Sequence, residues 1–300
     1  MRNLKEKFDS ARNRLLEFER KQPDDGSTED SISPRPIVVF TGVTPERYQQ
    51  FRNNEERKFH VFIRLVDGKV IVYDMPSPVH GHLLAEFIYM IRNWHGQLLV
   101  STDVDLNVGN NTYSPDILVQ PLLVPVVLPT VMDPRMVLEI GKTESLQSLH
   151  DLPGDYFSAG TNIQVYLGIK VWPRRVNGTA AMLALLYLRN NVIPNPSSNT
   201  PPTITLPNTV PNITISFGTA PLNHELLAFV ANTSIPNHRI TGFLQPGDIA
   251  CTAPNMPNYQ IAISTNLLFF GNPMGPPPGV PNNFNLDLWI VQGRTLIYLP

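Results

Sequence analysis

A chain of 300 residues, 42% apolar and 16% charged, holds enough apolar mass for a substantial core, in one large domain or two ordinary ones. The formal net charge of -2 excludes a protein that coats nucleic acid by bulk positive charge, and the single cysteine, Cys251, excludes a disulfide framework or a multi-cysteine zinc site. The 30 prolines, against 18 glycines, exclude a mostly helical protein, because an interior proline removes a backbone donor and its ring clashes with the preceding turn.

Residues 2–22 predict an amphipathic helix. Leu4, Phe8, Ala11, Leu15 and Phe18 recur at alternating spacings of four and three, a seam that either packs on its own protein or pairs with a second copy. Its polar start has no apolar signal core, and no later run is long enough to span a membrane, which predicts an intracellular protein, cytoplasmic or nuclear, with no membrane partner. Residues 23–36 are polar and rich in breakers, so 1–36 reads as helix plus linker.

From residue 37 to 190 the pattern is that of a compact α/β domain. Ile37-Val38-Val39-Phe40 is a short strand, and Thr44 followed by Pro45 caps a helix. Residues 59–65 and 70–73, joined across Asp67-Gly68, form a hairpin with a tight turn. A second helix covers 80–94, with Leu83, Leu84, Phe87, Ile88 and Ile91 at helical spacing. Strands follow at 98–106, 117–119 and 136–140, then an interrupted helix over 146–157, then strands at 164–171 and 180–187. Beyond residue 190 the chain turns to Pro, Asn, Thr and Ser with almost no charge. Short strands at 213–217, 226–230, 259–263 and 286–291 make 191–300 a β-rich module.

Chemistry concentrates between Asp103 and Lys170. Ser114-Pro115-Asp116 sets one acid at the mouth of an apolar strand, and Val137-Leu138-Glu139-Ile140 sets a second acid inside another. A glutamate there is expensive to bury unless a cation or hydrogen bonds hold it. Two acids on neighbouring strands can share Mg²⁺, which takes hard oxygen ligands and activates water at a phosphoryl centre. A lysine nearby would neutralise developing charge, and Lys142 and Lys170 are the candidates.

Over residues 43–175 the chain resembles the putative restriction endonuclease domain family, a branch of the PD-(D/E)xK nuclease superfamily. The matching elements, in order, are Thr44-Pro45-Glu46-Arg47-Tyr48, Leu65 through Val70, Met75 through His80-Gly81, Ser114-Pro115-Asp116, Val137-Leu138-Glu139, and Tyr156 with Ala159-Gly160. The tail around Ile215-Ser216-Phe217-Gly218 looks like the fungal members. The resemblance implies a restriction-endonuclease-like core, a mixed sheet flanked by helices, with an N-terminal helix and a β-rich C-terminal module. It implies Mg²⁺ or Mn²⁺ held by Asp116 and Glu139, and nucleic acid as partner, DNA favoured over RNA. It does not supply the lysine. The D/E-x-K position is Gly141, and the helical position that substitutes for it in relatives is Leu152. Lys142, displaced by one residue, and Lys170, on the next strand, remain as catalytic candidates.

Each candidate also has a structural role open to it. Asp116 can end a turn, Glu139 can pair with a cation, and Lys142 or Lys170 can be a strand-end lysine. His80 matches a family position and can orient an acid, contact phosphate or pack in a turn; Glu86 can extend a metal shell or face solvent. Arg92, Arg135, Arg174 and Arg175 join the two lysines as cations that could face phosphate, Arg174 and Arg175 with His80 as the substrate-binding set. The leading expectation is a divergent metal-dependent nuclease. The alternatives are an inactive nuclease-fold binding module, or a structural or assembly protein working through its β-rich tail.

Overall fold

The computed structural model describes residues 2–20, 37–54, 59–122, 132–189, 211–223, 226–227 and 240–300. Their arrangement is a mixed α/β fold with an N-terminal helix and a C-terminal region that contributes further strands. The predicted linker, the Pro-rich stretch after residue 190 and most of the predicted strand at 226–230 lie outside the described residues.

The first layer is a five-stranded sheet of order β1-β3-β2-β6-β5. Its strands are β1 (Ile37–Phe40), β2 (Phe62–Val66), β3 (Lys69–Asp74), β5 (Leu106–Val108) and β6 (Asn111–Tyr113). Asp67 and Gly68 both take positive φ, 50° and 68°, as the two-residue hairpin turn between β2 and β3 requires. Helix α1 (Arg2–Arg20) lays Phe8, Ala11 and Leu15 on this sheet, with the Phe8 ring stacked on Phe51 and Phe59 at 5.4 and 4.6 Å. These seam residues are therefore covered by their own chain rather than offered to a second copy. Helix α2 (Pro45–Asn54) starts as expected, Thr44 Oγ1 accepting the Arg47 N–H at 3.4 Å.

The second sheet is the larger, with order β12-β11-β10-β9-β8-β7-β4. It comprises β4 (Leu98–Ser101), β7 (Ile117–Pro121), β8 (Met136–Gly141), β9 (Val165–Val171), β10 (Met182–Leu188), β11 (Ile213–Ser216) and β12 (Ile240–Gly242). β8 and β9 run parallel, and α4 (Leu146–Tyr156) makes the crossover between them. Strand alternation sorts the side chains. Leu138, Ile140, Leu167 and Ile169 face α3 (Pro78–Trp94), whose Val79, Leu83, Phe87 and Ile91 complete that core. Val137, Tyr166, Leu183 and Leu185 face α4. Pro153 sits inside α4 and has no N–H to give the Leu149 carbonyl; Tyr166 Oη donates to that carbonyl at 2.9 Å instead, so the helix continues through its proline.

The expected strand at 286–291 is not observed as such. β14 (Asn283–Asp287), paired with β13 (Gln260–Ser264), gives way to α5 (Leu288–Tyr298), because Asp287 caps a helix, accepting the Trp289 N–H at 3.0 Å. α5 packs beside α3, with Tyr298 stacked on His82 and Phe284 stacked on Trp94. The boundary expected at residue 190 falls between strands of one sheet. β11 pairs with β10, and Phe217, Ile261, Phe269 and Val291 share a core with Leu138 and Leu167.

Candidate functional site

Strand register brings the two acids together. Ile117 pairs with Leu138, which sets Asp116, just ahead of β7, beside Glu139 on β8. The Asp116 N–H points at Glu139 Oε2 at 3.4 Å, and the Ile140 N–H donates to Asp116 Oδ2 at 2.7 Å. The local sequence Ser77-Pro78-Val79-His80 aims the histidine. Ser77 Oγ accepts the His80 N–H at 3.2 Å and proline opens α3, which turns the His80 Nε2 to Asp116 Oδ1 at 3.0 Å. Tyr156 Oη, at the end of α4, donates to Glu139 Oε1 at 2.6 Å. All four carboxylate oxygens thus have a donor from the protein.

Electrostatics follow from burial. Glu139 is 3% exposed, and burial, then Asp116 and Glu144, push its carboxyl well above the usual range, with Arg64 and Tyr156 pulling the other way. Burial works against charge on His80, but Asp116, joined by Asp74 and Glu139, outweighs it and lifts the imidazole to about 9. His80 is therefore an internal cation at neutral pH.

A second polar ring surrounds this one. Asp74 accepts the main-chain N–H groups of Met75, Lys142 and Thr143 at 2.7, 3.0 and 3.2 Å, together with the Thr143 hydroxyl, which anchors the end of β8 to the first sheet. Arg64, 5% exposed, pairs with Glu144 and stacks over the Tyr73 ring at 3.7 Å. Burial raises the Glu144 carboxyl, with Arg64 and Ser148 opposing. Tyr113, by contrast, is raised beyond the usual phenol range by burial and by Asp155, which its hydroxyl contacts at 2.7 Å.

Lys170 pairs with Gly141 in the β8–β9 register and shares the face of Glu139, so it stands beside the position where a D/E-x-K lysine belongs. Its amine donates to the carbonyls of Lys142 and Glu144, each at 2.7 Å, and the residue is 2% exposed. The D/E-x-K position itself is Gly141, where a Cβ would lie 2.8 Å from the Leu149 Cδ1 methyl and 3.3 Å from Glu144 Cβ, so a side chain there would have to displace the end of Leu149. Lys142 is partly buried at the strand end, its main chain joining Asp74 to Lys170.

Three of the remaining cations, Arg135, Arg174 and Arg175, bond main-chain carbonyls. Arg174 bonds the carbonyls of Leu296 at 2.5 Å and Leu299 at 3.0 Å, capping α5, and Arg175 bonds the carbonyl of Pro221 at 2.9 Å. Arg135 is buried against the carbonyls of Phe270 and Asp133. Arg92 is exposed on α3. Glu86 pairs with Arg294 at 2.8 Å, away from the acid pair. Burial pushes the Cys251 thiol up to about 12, which removes it as a nucleophile.

A metal bridging the acids would have to compete with His80 and the Ile140 N–H at Asp116, and with Tyr156 at Glu139. Among the described residues, no group of three or more His, Cys, Asp or Glu side chains is placed to hold a metal ion. As arranged, these donors do not fit Mg²⁺ or Mn²⁺.

Beside the pair runs a cleft in two chambers. The inner, of about 290 Å³, is lined by Phe62, Tyr73, Pro76, Leu84 and Pro115, with His80 and Asp116 also on its wall. The outer, of about 740 Å³, is lined by Gln49, Arg52, Asn53, His60, Asp103 and Asp105. Arg52 joins the chambers, bonded to Ser114 and paired with Asp105 at 2.9 Å. Glu139 lines neither chamber.

Arg64, Asp74 and Glu144 went unnoticed in the sequence. Arg64 carries the same signal that marks Glu139, a charge inside an apolar strand; Asp74 and Glu144 sit at strand ends, where acids are ordinary.

No family model and no curated protein matches the chain. Among solved structures it is similar in part to a "putative nuclease belonging to DUF820" from Anabaena variabilis ATCC 29413, at 15% identity, over 52% of this chain and 87% of that one, with a TM-score of 0.37. No helix among the described residues is long and apolar enough to cross a membrane.

Proposed function

We propose that the chain is a nuclease-like binding module, in which the acid pair serves the fold and the neighbouring cleft holds a partner without hydrolysing it. The observation that carries this reading is the internal closure of the pair, His80 on Asp116 and Tyr156 on Glu139. Metal-dependent phosphodiester cleavage needs open carboxylate oxygens for the ion and a free cation for the developing charge. Here the oxygens already have donors, the Lys170 amine is bonded to two carbonyls, and the D/E-x-K position is occupied by Gly141. The sequence resemblance supports the nuclease-like framework. The nucleic-acid partner it implies is weakened by the placement of Arg135, Lys170, Arg174 and Arg175 against main-chain carbonyls.

The test is direct. Purified protein is incubated with plasmid DNA, single-stranded DNA and RNA in millimolar Mg²⁺ or Mn²⁺, beside Asp116→Asn. The expected result is no cleavage by either protein and no heat of metal binding by calorimetry. Cleavage that Asp116→Asn abolishes would overturn the reading and restore the nuclease.

A further inference from the structure

Inside this molecule a guanidinium already lies between an aromatic ring and a carboxylate: Arg64 stacks over Tyr73 and pairs with Glu144. The two-chambered cleft repeats that chemistry facing outward. Its inner chamber has the aromatic walls Phe62 and Tyr73 and the carboxylate of Asp116. Both Asp116 oxygens are already engaged by internal donors, so the carboxylate open to an incoming cation is that of Asp103, which is exposed and lines both chambers.

We propose that the cleft is a receptor for an arginine side chain presented by a peptide segment of a partner protein. The inference rests on the binding-module reading.

Charge decides the class of ligand. Among the described residues the lining carries three carboxylates, Asp103, Asp105 and Asp116, against the cations Arg52 and His80. Arg52 holds Asp105 and His80 holds Asp116, which leaves Asp103, exposed at the mouth shared by the two chambers, with no ion pair among the described residues. A phosphate chain meets net negative charge here, and a cationic group is drawn in. The apolar walls then favour guanidinium over ammonium, because the planar ion is more weakly hydrated and stacks flat on a ring. The dimensions favour a side chain on a peptide over a free cation. The inner chamber takes one long side chain, while the wider outer chamber offers the Gln49 and Asn53 amides to the main chain on either side of it.

The experiment titrates the full chain into a fluorescein-labelled Gly/Ser peptide carrying three spaced arginines. Its twin with citrulline, the neutral isostere, and a labelled single-stranded DNA are titrated in parallel, with anisotropy as the readout. The arginine peptide is expected to bind about tenfold or more tightly than the citrulline twin, and more tightly than the DNA. Asp103→Asn, an exposed change that leaves the core untouched, weakens it several-fold. Leu84→Trp, which fills the inner chamber, abolishes the preference if its thermal melt matches the parent. Asp151→Asn, on the exposed side of α4, leaves binding unchanged. Equal binding of the arginine and citrulline peptides overturns the proposal, as does insensitivity to Asp103→Asn or tighter binding of the DNA. Metal-dependent cleavage in the preceding assay would sink the module reading itself; absence of both cleavage and arginine preference sinks this inference alone.

Discussion

Glu139 and Arg64 are each a lone charge inside an apolar strand, and each is tolerated because partners arrive from distant parts of the chain. Tyr156 lies 17 residues from Glu139, and Glu144 lies 80 residues from Arg64. A lone charge of this kind is visible in sequence as an anomaly, but its partner is not, since nothing in the local pattern says which loop returns to it. Glu139 was legible for that reason, and Asp116 as an acid at the mouth of the neighbouring strand; the donors that close them, His80 apart, were not. The same groups set a pH dependence. A histidine whose native pKa exceeds its unfolded value adds stability that is whole below the unfolded value and disappears as pH rises through the native one. For His80 that window runs from 6.5 to about 9, and the effect is on the order of 3 kcal/mol. Glu139 and Glu144, also raised, act with the same sign, losing stability as pH climbs above 4.5. The urea midpoint is therefore expected to be highest in mildly acidic solution and to fall through the alkaline range. His80→Gln should flatten the part of the fall between 6.5 and about 9. A midpoint that rises over that interval in the parent protein would contradict the pairing.

At the scale of elements, periodicity and capping located most of the helices and strands, because both are properties of a few consecutive residues. Ser77-Pro78 started α3 and Asp67-Gly68 turned the hairpin. The failure at 286–291 has a local cause as well: an apolar run suits either a strand or a buried helix, and the Asp287 cap tips it to helix. The helix expected to break in the 146–157 segment instead runs through Pro153, because Tyr166 on β9 answers the Leu149 carbonyl that proline leaves without a donor. That contact predicts a specific loss. Tyr166→Phe keeps the ring and strands a buried carbonyl, so it should cost about 1–3 kcal/mol in chemical denaturation. Amide exchange should speed up within α4, and a variant as stable as the parent would show that water or another donor takes the hydroxyl's place.

For the whole molecule, the charge-poor C-terminal region is part of the main body. β11 hydrogen-bonds along β10, and side chains from β13, β14 and α5 fill the same core as β8, β9 and α3. Arg174, just after β9, caps the last helix across more than a hundred residues. A fragment ending at residue 190 would leave that core open and the edge of β10 unpaired. It is expected to show no cooperative thermal transition and to aggregate on expression; a folded, monomeric fragment with a sharp melt would disprove the shared core. Composition marks a real change near residue 190, from charged to charge-poor chain, yet composition records only solvent exposure and turn chemistry, not which strand will lie beside which. By itself the sequence determined the mixed α/β class and the position of most elements, and it marked two acids beside apolar strands, because these depend on periodicity, caps and a charge out of place. Only the tertiary structure decided that the acids are closed by His80 and Tyr156, that Lys170 answers carbonyls and that the tail completes the sheet. Each of those facts is a contact between residues far apart in the chain, chosen by packing and by the need to satisfy every buried polar group.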